Sequence, residues 1–178
     1  EERTAELGEF LLEPVSVLGL RATVYGVRYP AEARAALEHA GCRYGGWLPN
    51  ARVPQVFANH TVTVHVPRRA YVTALPGIPT IRPFEAMACG TPVLAADAGG
   101  AGELVRRAGA GATFAPGDAT ALGDAAVALL DGGVPALHAL GRAARAYAAR
   151  EHAWDAVFDR LFAVYRDVLG TQPGATGR

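Results

Sequence analysis

Short β-rich runs and helical runs alternate along this chain from residue 22 to residue 131, and only helical runs follow. That order constrains the fold more than any other feature. Strands separated by helices pair in parallel, and the connecting helices cover the sheet. Five strands can be read. ATVYGV (22–27) is β-rich and soon punctuated by Pro30, and CRYGG (42–46) runs into a glycine turn. TVTVHV (61–66) is almost wholly β-branched and reads as a central strand. PVLAA (92–96) and ATFA (112–115) complete the set. The expected fold is therefore α/β, a Rossmann-like parallel sheet with helices on both faces, ending in long C-terminal helices.

The helices have their own signals. Leu7, Phe10, Leu11, Val15 and Leu18 recur at helical spacing within 3–18, where Pro14 should kink or shorten the helix. Residues 31–41 form a helix stopped by Gly41, and VPQVFANH (53–60) a short one. GAGELVRRAG (100–109) is another, also stopped by glycine. Asp118 is placed to cap a helix over 119–131. Two more are expected near 135–150 and 153–169, and the tail 171–178 is expected to be disordered.

Composition limits the functions on offer. The 178 residues are 51% hydrophobic, enough for a sizeable core in one domain, read as 1–170. Formal net charge is zero, which gives no electrostatic case for nucleic acid. All 17 basic residues are arginine, a general bias rather than a phosphate signal. Cys42 and Cys89 are far apart without neighbouring ligand patterns, so two reduced thiols are expected and no metal site. No run of about 18 apolar residues marks a membrane span, and no signal peptide is visible, so a cytoplasmic location is expected. The first residues are already helical in pattern without a Met, as in a piece of a longer protein.

In doubly wound sheets ligands sit at the carboxyl ends of the strands, which directs attention to four loops. GVRYP (26–30) offers Arg28 but lacks the GxGxxG fingerprint. In GGWLPN (45–50), Trp47 either stacks on a flat ring or, as the commoner case, fills the core, and the backbone of Leu48 can read a base edge. The third loop runs from Arg68 and Arg69 to the turn Gly77-Ile78-Pro79-Thr80 and into a helix start. Such a start offers unpaired N–H groups and a positive dipole end, which suits phosphate. Thr80 can cap the helix or donate to phosphate, and Pro83 fits its first turn. Glu85 follows one turn in, within the apolar stretch FEAMACG. A carboxylate only accepts hydrogen bonds, and the vicinal hydroxyls of a ribose supply two donors. Phosphate at the turn and ribose at Glu85 is a self-consistent arrangement for a nucleoside diphosphate. The glycines of the fourth loop, DAGGAGE (97–103), and the helix start at Gly102–Glu103 offer another anion or sugar contact. Each loop also has a plain reading as an ordinary turn or a solvated arginine pair.

FEAMACGTPVLAADAGGAGELV, followed by GAGATFAPGDATALGDAAVALL, resembles the donor-binding half of GT-B glycosyltransferases of group 1 (family 4-like). VHVPRRAYVTALPGIPTIRPFEAMACGTP is similar to the CgeB-like, spore-maturation branch. The resemblance covers about residues 20–170. It implies the C-terminal half of a GT-B fold, a nucleotide-diphosphate sugar as donor substrate, and no metal or other cofactor. It implies ribose binding by Glu85, pyrophosphate binding at Gly77–Thr80, base contact at Trp47 and Leu48, and an N-terminal acceptor domain outside this chain. Leaving-group stabilisation falls to Arg68 and Arg69 as candidates, transfer is expected to retain anomeric configuration, and the chain alone is expected to be inactive. The helix near 153–169 would cross back to the acceptor domain. The family often carries a second glutamate, and here that position is Gly77. Two alternatives stay open: a nucleotide-sugar epimerase-like enzyme on the same scaffold, and a non-catalytic nucleotide-binding or assembly module.

Overall fold

A computed structural model of the chain describes residues 6–170. Residues 3–5 of the first expected helix and the tail 171–178 lie outside the described residues. The first helix carries a π-helical stretch, α1 (Gly8–Leu12), and runs on without a break as α2 (Glu13–Leu18); Pro14, which has no N–H to give to the turn before it, stands just past the π-helical stretch inside this continuous helix. Then come β1 (Ala22–Tyr25), α3 (Ala31–His39), β2 (Cys42–Gly46), α4 (Val53–Ala58) and β3 (Thr63–His65). They are followed by α5 (Arg69–Ala74), α6 (Ile81–Ala88), β4 (Val93–Ala96), α7 (Ala101–Ala108) and β5 (Gly111–Phe114). The chain closes with α8 (Ala119–Asp131), α9 (Gly133–His152) and α10 (Trp154–Gly170).

All strand pairs are parallel, as the alternation requires, but they fall into two sheets. One has the order β1-β2 and the other β3-β4-β5. TVTVHV is therefore not the central strand its composition announces: only Thr63–His65 pair, and they lie at an edge. The central strand of the larger sheet is β4, whose four residues are all buried. The pleat sends its side chains to opposite faces. Val93 and Ala95 pack with Met87, Val105 and Ala144 from α6, α7 and α9. Leu94 and Ala96 pack with Phe10, Phe114 and Leu122 on the other side. Helices thus cover both faces. A third cluster, Val15, Leu37 and Cys42, closes α2 and α3 onto the smaller sheet.

α9 seats the helix that follows the long third loop. A Cβ added at Gly141 would run into the carbonyl oxygen of Gly90, just past α6, so the two backbones touch directly. His152, at the end of α9, meets the edge of Phe84 with ring centroids 4.8 Å apart. Asp118 caps α8 as its position foretells, its carboxylate accepting from the Ala121 N–H at 2.8 Å.

Candidate functional site

The third loop is more ordered than its proline content announces. Residues 69–74 form α5, a short helix missing from the sequence reading. Pro67 precedes it and Pro76 follows it, and between them only six residues carry the helical pattern. The chain then turns at Gly77, whose φ of 78° belongs to the left-handed region, and the Ile78 N–H donates to the Leu75 carbonyl at 3.2 Å. The next glycine loop closes against this turn. A Cβ at Gly100 would occupy the place of the Gly77 carbonyl, so Gly100 has to be glycine for the loops to meet, while Gly77 is held to glycine by its φ and not by crowding.

Thr80 holds the N-cap position of α6 but makes no capping bond. Its hydroxyl lies 3.4 Å from Nε2 of His65 at the end of β3. Burial holds the His65 imidazole well below the usual histidine range, at about 4, so the ring is neutral near pH 7. Pro83 is buried in the first turn and offers no N–H. The amides of Ile81 and Arg82 are the first-turn donors without a helical carbonyl to bind. Ala86 and Met87, one turn on, are fully buried and fix the helix to the core.

Glu85 is half-buried, and its Oε2 accepts from Nη1 of Arg82 at 2.6 Å, across one turn of α6. The pair is open to solvent on the arginine side. Nearby, burial raises the Cys89 thiol, with the Glu85 charge adding to the rise and Arg145 opposing it. Both cysteines are free, as read.

The other candidate residues distribute as follows. Arg28 stands at φ 62°, a left-handed conformation that a non-glycine residue rarely takes. It lines a cavity of about 370 Å³ together with Arg68 and Glu6, beside apolar side chains of β1 and β3. Arg28 and Arg68 are thus brought together. Arg69 instead faces the first helix, where Glu6 and Glu9 lie 3.7 and 3.8 Å from its guanidinium. Trp47 is 72% exposed, which overturns the expectation that it fills the core; the glycine turn beside it carries the ring outward. Leu48 lines a separate depression of about 260 Å³ with Tyr25, Arg43 and His60. Gly77, Ile78, Pro79, Thr80 and Glu85 form one contiguous corner at the start of α6, and neither cavity includes them. His65 and Arg82 also belong to this corner and were not read as site residues, and Gly100 reaches it from the fourth loop, whose glycines were read as a possible contact. The one signal for His65 was a polar ring inside a β-branched strand.

With that geometry in view, likenesses to known proteins can be placed on it. The family described as "Glycosyl transferase-like" matches residues 3–163. Over 86 residues the chain is 45% identical to D-inositol 3-phosphate glycosyltransferases of Mycobacterium avium (strain 104) and of Mycolicibacterium paratuberculosis (strain ATCC BAA-968 / K-10). The match takes in 48% of this chain and 20% and 19% of those proteins. Sucrose-phosphate synthase from Thermosynechococcus elongatus superposes with a TM-score of 0.72 at 20% identity, covering 92% of this chain and 42% of the other. Anabaena Alr3699/HepE in complex with UDP gives 0.70 at 20% identity, covering 89% and 44%. The same Anabaena protein with UDP-glucose gives 0.68 at 20% identity, again covering 89% and 44%. The chain therefore spans less than half the length of these solved structures, and their likeness establishes the fold.

Proposed function

This chain belongs to the glycosyl transferase-like family, and from that premise we propose that it is the donor-binding, C-terminal domain of a two-domain glycosyltransferase. The whole enzyme moves a sugar from a nucleotide-diphosphate sugar to an acceptor bound by an N-terminal domain. The observation that carries the reading is the corner at α6. A glycine turn braced by a second glycine loop delivers two free amides at a helix start, and a solvent-reachable carboxylate stands one turn further on. Amides and the helix dipole suit the pyrophosphate, and Glu85 suits the ribose hydroxyls. The UDP and UDP-glucose complexes of the structurally similar Anabaena protein agree with that class of ligand.

In the reaction, negative charge develops on the leaving phosphate. Fixed donors at the start of α6 stabilise it, and the Arg28–Arg68 pair adds positive charge. One preorganised donor of this kind is worth about 3 kcal/mol of barrier. Arg69, engaged by Glu6 and Glu9, takes the smaller part. Trp47 and Leu48 contact the base in this reading, and an exposed indole suits stacking. We place the enzyme in the CgeB-like branch, with retention of configuration. α10 docks on the acceptor domain, a role that its exposed Trp154, Phe158, Phe162 and Tyr165 support.

Calorimetry with UDP and GDP tests the assignment. Glu85→Ala should bind at least about tenfold more weakly than the parent, since charge-assisted hydrogen bonds contribute about 1.5–3 kcal/mol. A variant that binds both nucleotides as tightly as the parent overturns the ribose role.

A further inference from the structure

A carboxylate beside a pyrophosphate is repelled by it, and Glu85 stands one turn from the amides at the start of α6. The chain supplies its own counter-charge there. Nη1 of Arg82 donates to Oε2 of Glu85 at 2.6 Å, three residues apart on the helix. Among the described residues this is the only ion pair that either side chain makes. Arg82 is 53% exposed and Glu85 33%, so the pair adds little to the stability of the fold.

Arg82 is the second residue of α6, and its backbone N–H is one of the first-turn donors without a helical carbonyl. Its side chain reaches from that end of the helix to Glu85, so the guanidinium spans the turn between amides and carboxylate. A guanidinium carries five N–H donors in a flat fork, and the contact with Glu85 engages one of them. The rest of the fork is open to solvent. Among the described residues Oε1 of Glu85 accepts no hydrogen bond. The other candidate arginines lie elsewhere. Arg69 is engaged by Glu6 and Glu9, and Arg28 and Arg68 line a cavity to which no residue of 77–85 contributes. Between residues 77 and 85 Arg82 is the only basic side chain.

The geometry assigns Arg82 to the diphosphate of the nucleotide, as the side chain that binds its charge at the start of α6. The guanidinium keeps Glu85 with one N–H and gives others to phosphate oxygens, which its planar fork matches. Glu85, its charge balanced, keeps Oε1 for a ribose hydroxyl. One side chain thus lets an anion and a carboxylate share the corner, and the site prefers a nucleoside diphosphate to the bare nucleoside. The assignment rests on the nucleotide reading above and adds to it a residue for the phosphate charge at α6.

Calorimetry on the 178-residue chain tests it, with UDP, GDP and their 2′,3′-dideoxy forms as probes. Arg82→Gln should weaken binding about tenfold, and by the same factor with and without the ribose hydroxyls. Arg82→Lys should recover part of that loss, since it keeps the charge and gives up the fork. Glu85→Ala should weaken the ribonucleotides and spare the dideoxy forms. Both Arg82 variants should keep the parent's urea midpoint; a midpoint that falls together with affinity marks Arg82 as structural and overturns the assignment. Arg82→Gln binding as tightly as the parent also overturns it, and so does a loss confined to the ribonucleotides, which would mean that Arg82 acts only by holding Glu85. Those outcomes leave the ribose role of Glu85 standing. Glu85→Ala that binds UDP and GDP like the parent, or a parent that takes up neither, instead removes the nucleotide reading and this assignment with it.

Discussion

His65 sits where a strand, a loop and a helix start converge, and its burial makes a statement about pH. Its pKa in the fold is about 4, against 6.5 for an ordinary histidine. Above pH 6.5 the ring is neutral both folded and unfolded and contributes no pH dependence. Between 6.5 and 4 the unfolded chain takes the proton and the folded chain does not, so stability falls as pH falls, on the order of 3 kcal/mol in total. His65→Gln removes that share. Urea unfolding at pH 7 and pH 4.5 should show a smaller acid-induced loss in the variant than in the parent; equal losses would show that His65 is not the group responsible. None of this was legible beforehand, because burial of one ring depends on what packs over it. Glu85 is the opposite case. Its place after a Gly/Pro turn announced a site, and its ion pair with Arg82 follows from helical i,i+3 spacing, though the partner was not read in advance.

Among the elements, α6 is the one whose placement decides the site, and it is fixed from behind. The Gly90–Gly141 contact leaves no room for a side chain, and a substituent there has to displace backbone rather than a flexible side chain. Gly141→Ala should therefore destabilise by about 2 kcal/mol or more, despite alanine being the better helix former. Gly8→Ala, with nothing within 4 Å of the new methyl, should change stability by about 1 kcal/mol or less. Chemical denaturation of the two variants separates crowding from propensity; a neutral Gly141→Ala would mean that α9 can move away. At this scale much was legible. β1, β2 and β4 follow from composition and punctuation, the helix over 119–131 has the limits expected of it, and the two helices after it differ from theirs by one or two residues. The failures have physical reasons. α5 is too short between two prolines to show a period, and β3 was read as central because composition reports a strand's environment on both faces and not its neighbours in this chain.

At the scale of the whole molecule, the described chain is a packed body with one appended helix. α10 has no buried residue, and its aromatic side chains stack along its own surface, Trp154 on Phe158 at 5.5 Å and Phe158 on Phe162 at 6.1 Å. Ending the chain at Ala153 should cost less than about 1 kcal/mol, because exposed helices and surface ion pairs such as Arg160–Glu151 contribute little. The truncated chain should keep one cooperative urea transition, and its loss would show that α10 supports the core. The fold class and the flanking of a parallel sheet were legible at this scale from alternation alone. The division into two sheets was not, because no local pattern encodes which edges meet.

The turn at Gly77 and the loop at Gly100 are seated carbonyl against bare backbone, so neither can move further toward the other. Fixing a residue's backbone costs about 1–2 kcal/mol of conformational freedom, and at this corner that loss falls on folding rather than on binding. A ligand that seats on the turn meets a surface already in its final shape. Its affinity is then set by contacts and desolvation, and its arrival should narrow the motions of this corner hardly at all.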